Sequence, residues 1–372
     1  MTDQKPHKKF HISGRTILSI VTVILVGIVV WQNRESISGA IEHIGEANIW
    51  VVLLLIPEQL FMYYCCGQIF FSFMAGKKNA KKVSPFTLMR VSLELNFVNH
   101  AVPAGGFGGL AYISWRLKEF GATPGQSSFM YALRYAITVI ANQIQTIIAI
   151  IILFATNTVP IDTPIVWIAA AISFGFIIGI TALILVASKA KRIHWVSNLA
   201  AKVCNWCVKT FTFGKKRNKL TYDVIDKYLM DIHGDLMMAK ANKRMLLRPV
   251  VWGFVYSFFE ISTYWIVAIS LGYPLVMPQI MIGEAIGSVA GMIFPIGPYE
   301  VSMVGVIATL LPGAATDAVA ATALATAIVC ITRVVVLATT ILSGYGFYQS
   351  AISKICKSQG ESGPFAKNER NA

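Results

Sequence analysis

Seven ionisable side chains interrupt the apolar stretches of this 372-residue chain: Glu58, Glu94, Arg134, Glu260, Glu284, Glu300 and Arg333. At the centre of a bilayer each would cost roughly 2.5–3.5 kcal/mol or more, so such residues face a partner or a watery cavity. The planar fork of a guanidinium matches phosphate oxygens, which makes Arg134 and Arg333 candidate phosphate clamps. The plainer alternative is that each arginine neutralises a glutamate and ties two helices together. The sequence leaves both open. Glu58 follows Pro57, where a kink with a satisfied carboxyl competes with a functional acid; Glu260, in "SFFEISTYW", sits midway along its segment. Glu300 would bind a cationic group or cap the next helix, and His100 would relay protons or satisfy local backbone. No D-x-D occurs and the acids are scattered singly, so no catalytic residue, metal or cofactor is assigned.

The elements that carry these residues are membrane helices. Hydrophobic residues make up 55% of the chain and charged ones 13%, with mean hydropathy +0.62; soluble domains carry about 25% charge. Runs at about 16–32, 49–74, 127–154, 164–187, 249–271 and 317–346 reach the length of a bilayer span. The first is read as a retained span, because "QNRESISGAIEH" after it offers no small-residue cleavage site. The net charge of +14 does not mark a nucleic-acid binder, since the basic residues gather in a few loops. Cys65, Cys66 and Cys330 lie in spans. Cys204 and Cys207 form one C-x-x-C with no second pair nearby, so neither a disulfide framework nor zinc is expected.

Lysine and arginine set the sidedness. Residues 1–15 hold Lys5, Lys8, Lys9 and Arg15, the stretch "GKKNAKKV" holds four lysines, and residues 188–248 hold fourteen basic residues. These belong inside, with the tail 347–372. The stretches "TNTVPIDTP" and "GYPLVMPQ" hold none and belong outside. A cell-membrane, multi-pass protein with cytoplasmic N- and C-termini is expected. Within the loop 188–248, Trp195, Trp206, Phe211 and Phe213 alternate with Lys202 and Lys209, which suits a helix lying in the membrane interface.

Two apolar segments, about 87–115 and 280–311, are broken by proline and glycine. By the charge-derived sidedness, the first enters and leaves on the inner face and the second on the outer face. Both are expected to be re-entrant helical hairpins, because irregular backbone at membrane depth needs protein or water to satisfy it. The segments resemble each other. Glu94 precedes Pro103 by nine residues and Glu284 precedes Pro295 by eleven; a small-residue linker and an arginine-bearing helix follow each. The expected fold is therefore an all-α polytopic membrane protein, with about six full spans and two hairpins related as an inverted repeat around a midplane site. Asn99, Pro103, Gly105, Gly106, Gly108 and Gly297 at the two tips join Arg134 and Arg333 as candidate headgroup and phosphate contacts. Glu58, Glu94, Glu260, Glu284 and Glu300 are the expected charged lining.

Over roughly 15–346 the chain resembles the lysylphosphatidylglycerol synthase transmembrane (flippase-like) family, the membrane domain of the multiple peptide resistance factors. The resemblance rests on N-x-x-x-P-x-G-x-x-G at Asn99–Gly108 followed by Arg134, and on P-x-G-x-x-E at Pro295–Glu300 followed by Arg333. Members often carry an acid in the first glycine loop; "GGFGGLAY" has none. The resemblance implies one flippase-like membrane domain over 16–346 that moves phospholipid between leaflets, with aminoacylated phosphatidylglycerol as the best-known cargo. The tail after the last span is too short for the fused synthase domain, so synthase activity is not expected here. Two other readings stand beside transport: a membrane-embedded enzyme acting on lipid-linked phosphate or sugar, and a scaffold for a separate lipid synthase. Oligomeric state stays open.

Overall fold

A computed structural model describes residues 47–75, 83–101, 107–158, 162–211, 222–273, 276–293, 298–311 and 316–358, with a few isolated positions besides. These residues are helical throughout, and five helices are long and apolar enough to cross a membrane. They are α1 (Ile49–Ala75), α4 (Pro124–Ala155), α5 (Pro164–Ala187), α8 (Arg244–Ser270) and the last span, which comprises α11 (Ala318–Thr339), a π turn at Thr340–Gly344 and the start of α12 (Tyr345–Ser358). The chain is a multi-pass membrane protein. The expected span at 16–32 lies outside the described residues, as does almost all of the stretch before residue 47.

Between the spans lie shorter helices: α2 (Pro85–Ala101), α3 (Phe107–Lys118), α6 (Ala190–Phe211), α7 (Tyr222–Ala241), α9 (Met277–Ile293) and α10 (Pro298–Leu310). Local chemistry sets many of their ends. Ser-Pro and Thr-Pro dipeptides open α2, α4 and α5 with a proline whose missing N–H costs nothing there, and at α2 and α4 the Ser84 and Thr123 oxygens also cap the helix. At α4 the cap is a full capping box: Thr123 Oγ1 accepts from Gln126 N, and Gln126 Oε1 accepts from Thr123 N, both at 3.2 Å. Gly272, at φ +87°, closes α8 in the left-handed conformation, with its N–H on the Ile269 carbonyl. Gly121 ends α3 in the same way at φ +88°.

Among the described residues the two largest apolar cores both draw on α8. One packs Phe70, Phe73, Leu93, Ile113, Leu117 and Met130 from α1 to α4 against the first half of α8. The other packs Ile261, Tyr264 and Ala268 of α8 against Ile280, Met303, Ile307 and Ile328 from α9, α10 and α11. In each core two short helices run side by side. The broken segment near 87–115 becomes α2 and α3, and the one near 280–311 becomes α9 and α10. In the second pair, the glycine positions Gly283, Gly287 and Gly291 let Met303 and Tyr299 of α10 lie against the α9 backbone. The connecting tips, 102–106 and 294–297, lie outside the described residues.

α5 stands apart. Of its 24 residues only Val166, Ala169 and Ser173 are buried, while Ile168, Phe174, Ile178 and Leu183 are exposed, as lipid-facing residues are in a protein taken out of its bilayer. It runs almost directly into α6, which buries Ile193, Ser197 and Ala201 and leaves Trp195, Leu199 and Val203 exposed on another face. The helix is thus two-faced, with one face packed inward and apolar residues exposed on the other. Trp206 and Phe211 belong to the same helix, with nothing described of their side chains, and Phe213 lies outside the described residues.

Candidate functional site

A cavity of about 190 Å³ opens where the two cores meet. The volume is that of roughly six water molecules, enough for a polar group but not for acyl chains. Gln59 and Tyr63 of α1 line it, with Asn96 and His100 of α2. On its other walls stand Tyr256, Glu260, Thr263 and Tyr264 of α8, Glu284 of α9, Tyr299 of α10 and Arg333 of α11. Helices from both broken regions therefore reach one polar space.

The two arginines are held by a shared device. In the C-terminal core, Arg333 lies with its guanidinium carbon 4.5 Å from the Tyr299 ring centre, and Tyr299 donates a short hydrogen bond to Glu284. Tyr264 extends the chain, its hydroxyl 3.0 Å from that of Tyr299. In the N-terminal core, Arg134 lies 5.4 Å from the Tyr256 ring centre. Arg134 also donates to the Tyr256 hydroxyl at 3.3 Å, and that hydroxyl donates to Glu260 at 3.3 Å. Each set thus joins an arginine, a tyrosine stacked on it and a glutamate at the tyrosine's hydroxyl, and the tyrosine and glutamate that meet Arg134 are on α8. Aromatic faces and a hydroxyl oxygen that accepts from the guanidinium can hold a cation this way without a carboxylate in contact.

Their charge balance differs. Arg333 also makes a salt bridge with Glu300 at 2.5 Å, so part of its fork is occupied. Arg134 has no carboxylate within 4.0 Å among the described residues, and it does not line the cavity but supports Tyr256 from behind. Both arginines keep a buried Nε–H with no hydrogen-bond acceptor among the described residues. A buried donor left unmade costs about 1–3 kcal/mol or more when charged, and an anionic ligand with oxygens to spare would remove that cost.

The remaining acids sit apart from the cavity. Glu94, expected in the charged lining, is fully buried between α2 and α3 instead. Arg90 and Arg116 donate to its two oxygens at 2.7 and 2.8 Å, and Tyr112 adds a third bond at 2.7 Å. A buried carboxylate needs such saturation, and this one locks the α2–α3 pair rather than facing a ligand. Glu58, also expected in the lining, lies in the first turn after a helix break at Leu54. Gln59, Ser262 and Thr263 donate to it at 3.0–3.3 Å, and no basic residue lies within 4.0 Å among the described residues. Glu260 and Glu284 do line the cavity, while Glu300 reaches it through its pair with Arg333.

Of the tip residues, Asn99 and Gly108 are described and Pro103, Gly105, Gly106 and Gly297 lie outside the described residues. Asn99 meets Tyr131 at 3.4 Å and packs onto Gly109, where a Cβ would stand 1.9 Å from Asn99 Oδ1. Gly108 lies in the first turn of α3. His100 points its Nδ1 at the Asn96 carbonyl at 2.9 Å, the local backbone contact that was one of its two readings.

Sequence reasoning passed over the residues that shape the floor of the cavity. Asn96 Nδ2 donates to Tyr63 at 2.6 Å and to Thr340 at 2.9 Å, and Thr340 opens the π turn of the last span. The signal was present: an asparagine inside an apolar run is costly unless partnered. Its partners, far along the chain, were not visible. The tyrosines were missed for the same reason.

With this geometry in place, comparison with known proteins decides the family. A family model described as the lysylphosphatidylglycerol synthase TM region matches residues 16–344. The chain belongs to this family. No curated protein and no solved structure matches it. The matched range takes in both short-helix pairs, the cavity and both arginines, and it points to a role with membrane lipids.

Proposed function

We propose that the chain is a flippase that moves an anionic or aminoacylated phospholipid, such as lysyl-phosphatidylglycerol, between leaflets and leaves it chemically unchanged. The observation that carries this reading is the pair of Arg–Tyr–Glu sets, built on Arg134 and Arg333, whose tyrosines and glutamates line a single polar cavity. Arg333 offers its free Nε–H to the headgroup phosphate, and Glu260 and Glu284 offer oxygens to an ammonium. The acyl chains stay in lipid, consistent with a cavity of about 190 Å³.

Helix lengths support the topology that transport requires. At 1.5 Å per residue, the 12 residues of α3 and the 13 of α10 fall well short of a hydrocarbon core of about 30 Å. In this reading each short-helix pair enters and leaves through one face. The loop charges put the first pair on the cytoplasmic side, the second on the outer side and both chain termini in the cytoplasm. That arrangement is an inverted repeat, the form in which alternating access around a midplane site is built.

Purified protein in vesicles, with labelled phosphatidylglycerol and its lysyl ester in one leaflet, tests the reading. Leaflet exchange should exceed that of empty vesicles, and should drop at least about tenfold in Arg333→Ala and in Arg134→Ala. Exchange at the empty-vesicle rate, or a chemically altered lipid, would remove the proposal.

A further inference from the structure

A second pocket lies away from the central cavity, where α2 begins and α3 ends. It encloses about 410 Å³ and is lined by Phe86, Thr87, Arg90, Arg116, Glu119 and Phe120, with Ala351 of α12 at its edge. Arg90 and Arg116 are the two cations that clasp Glu94, and that clasp orients them. Each spends its Nε–H on a different oxygen of the buried carboxylate. Arg90 then gives one terminal nitrogen to the Phe347 carbonyl at 3.1 Å, and Arg116 gives one to Glu119. The other terminal nitrogens, Nη1 of Arg90 and Nη2 of Arg116, have no hydrogen-bond partner among the described residues.

Both guanidiniums are therefore fixed, mostly buried and equipped with spare donors on one pocket. Arg116 is only 7% exposed. Glu94 neutralises one of the two charges from within the protein. The competitor for the other is Glu119, whose side chain is 41% exposed and easily displaced into solvent. The positive end of the α2 dipole points the same way, since Phe86 and Thr87 are in its first turn. Phe86 and Phe120 supply apolar walls, with the Arg116 guanidinium 5.7 Å from the Phe120 ring centre.

From this geometry we infer that the pocket between α2 and α3 binds a phosphate-bearing anion, held between Arg90 and Arg116 with Glu119 swung aside. A phosphate group carries more charge than the carboxylate it displaces and has oxygens enough for both forks. The volume suits a headgroup-sized molecule rather than a bare ion. A phospholipid headgroup and a free phosphate both have this chemistry. The inference is independent of lipid movement through the central cavity.

The full-length protein in a neutral, phosphate-free detergent is titrated with inorganic phosphate and separately with short-chain phosphatidic acid. The readout is the rise of the thermal midpoint with ligand concentration. Two variants leave the Glu94 clasp intact and act in opposite directions. Thr87→Glu places a negative charge in the pocket, yet completes a Ser84–Glu capping box, so the ligand-free midpoint should hold or rise. It should weaken binding at least about tenfold, while Glu119→Gln removes the competitor and should tighten it about threefold. A response to phosphatidic acid alone assigns the site to a lipid headgroup; a response to phosphate that competes with the lipid assigns it to either source. A wild-type midpoint that neither probe moves, or equal affinity in all three proteins, would overturn the inference. So would binding that Arg333→Gln abolishes and Thr87→Glu leaves unchanged, because that ligand would be in the central cavity.

Discussion

Arg333 and Glu300 meet at 2.5 Å across the contact between α11 and α10, joining the short helix after the second broken tip to the last span. Both side chains are mostly buried, at 18% and 13% exposure. Removing one partner of such a pair strands the other and costs about 3–5 kcal/mol, whereas the intact pair is close to neutral against an apolar replacement. Glu300→Ala should therefore lower the unfolding midpoint in detergent, and the double change Glu300→Ala with Arg333→Met should recover much of the loss. Equal stability of the single and double variants would show that the pair carries no coupling.

Glu94 makes a sharper prediction. Its carboxylate accepts from two arginines and a tyrosine with no exposure to solvent. Glu94→Gln keeps the size but removes the charge that balances Arg90 and Arg116, with a destabilisation of about 3–5 kcal/mol. Glu58→Gln, among neutral donors only, should cost under about 1.5 kcal/mol. Chemical denaturation of the two variants side by side measures the difference. The reverse ranking would contradict the assigned partners.

Two glycine positions separate a rigid from a yielding contact. A Cβ on Gly67 would stand 2.4 Å from the Leu88 carbonyl oxygen, which is backbone, and helix α2 cannot move away cheaply. On Gly109 the nearest atom, at 1.9 Å, is Oδ1 of Asn99, the end of a side chain that can rotate. Gly67→Ala should cost about 1–3 kcal/mol through forced repacking. Gly109→Ala should cost less in stability but should disturb Asn99 and the first tip. Thermal midpoints and lipid exchange, measured on both, test the split.

Outside the membrane, His194 on α6 stands 2.8 Å from Asp226 on α7. Partial burial pushes the Asp226 carboxyl up, but hydrogen bonds from Ser197 and His194 outweigh it and hold it below the ordinary value of 3.8. A carboxyl depressed in the folded state adds stability above its unfolded pKa, and the gain is lost as the pH falls through the folded value. Docking of α6 on α7 should thus be unaffected near neutrality and loosen on acidification below about pH 4. Asp226→Asn should abolish that dependence. Protease accessibility of the 188–248 loop across pH 3–6 reads it directly.

Hydropathy and loop charge alone determined that the chain spans a membrane many times, where five of its spans lie and which two segments are broken. Those properties are local: twenty apolar residues must leave water wherever they occur, and proline or glycine interrupts a helix from within. The same locality brought the acids and arginines of the spans into view. It did not say which belong together. Glu94 is drawn to Arg90, one helical turn before it, and to Arg116 on the next helix, not to either arginine of the spans. Arg134 finds a tyrosine 122 residues away, while Arg333 finds both a tyrosine and a glutamate on the preceding short helix. Partner choice depends on which helix faces pack, and packing is a property of the whole bundle that no window of sequence contains. Tertiary structure decided that Glu260 and Glu284 face the cavity, that Glu58 and Glu94 do not, and that tyrosine hydroxyls stand between the charges.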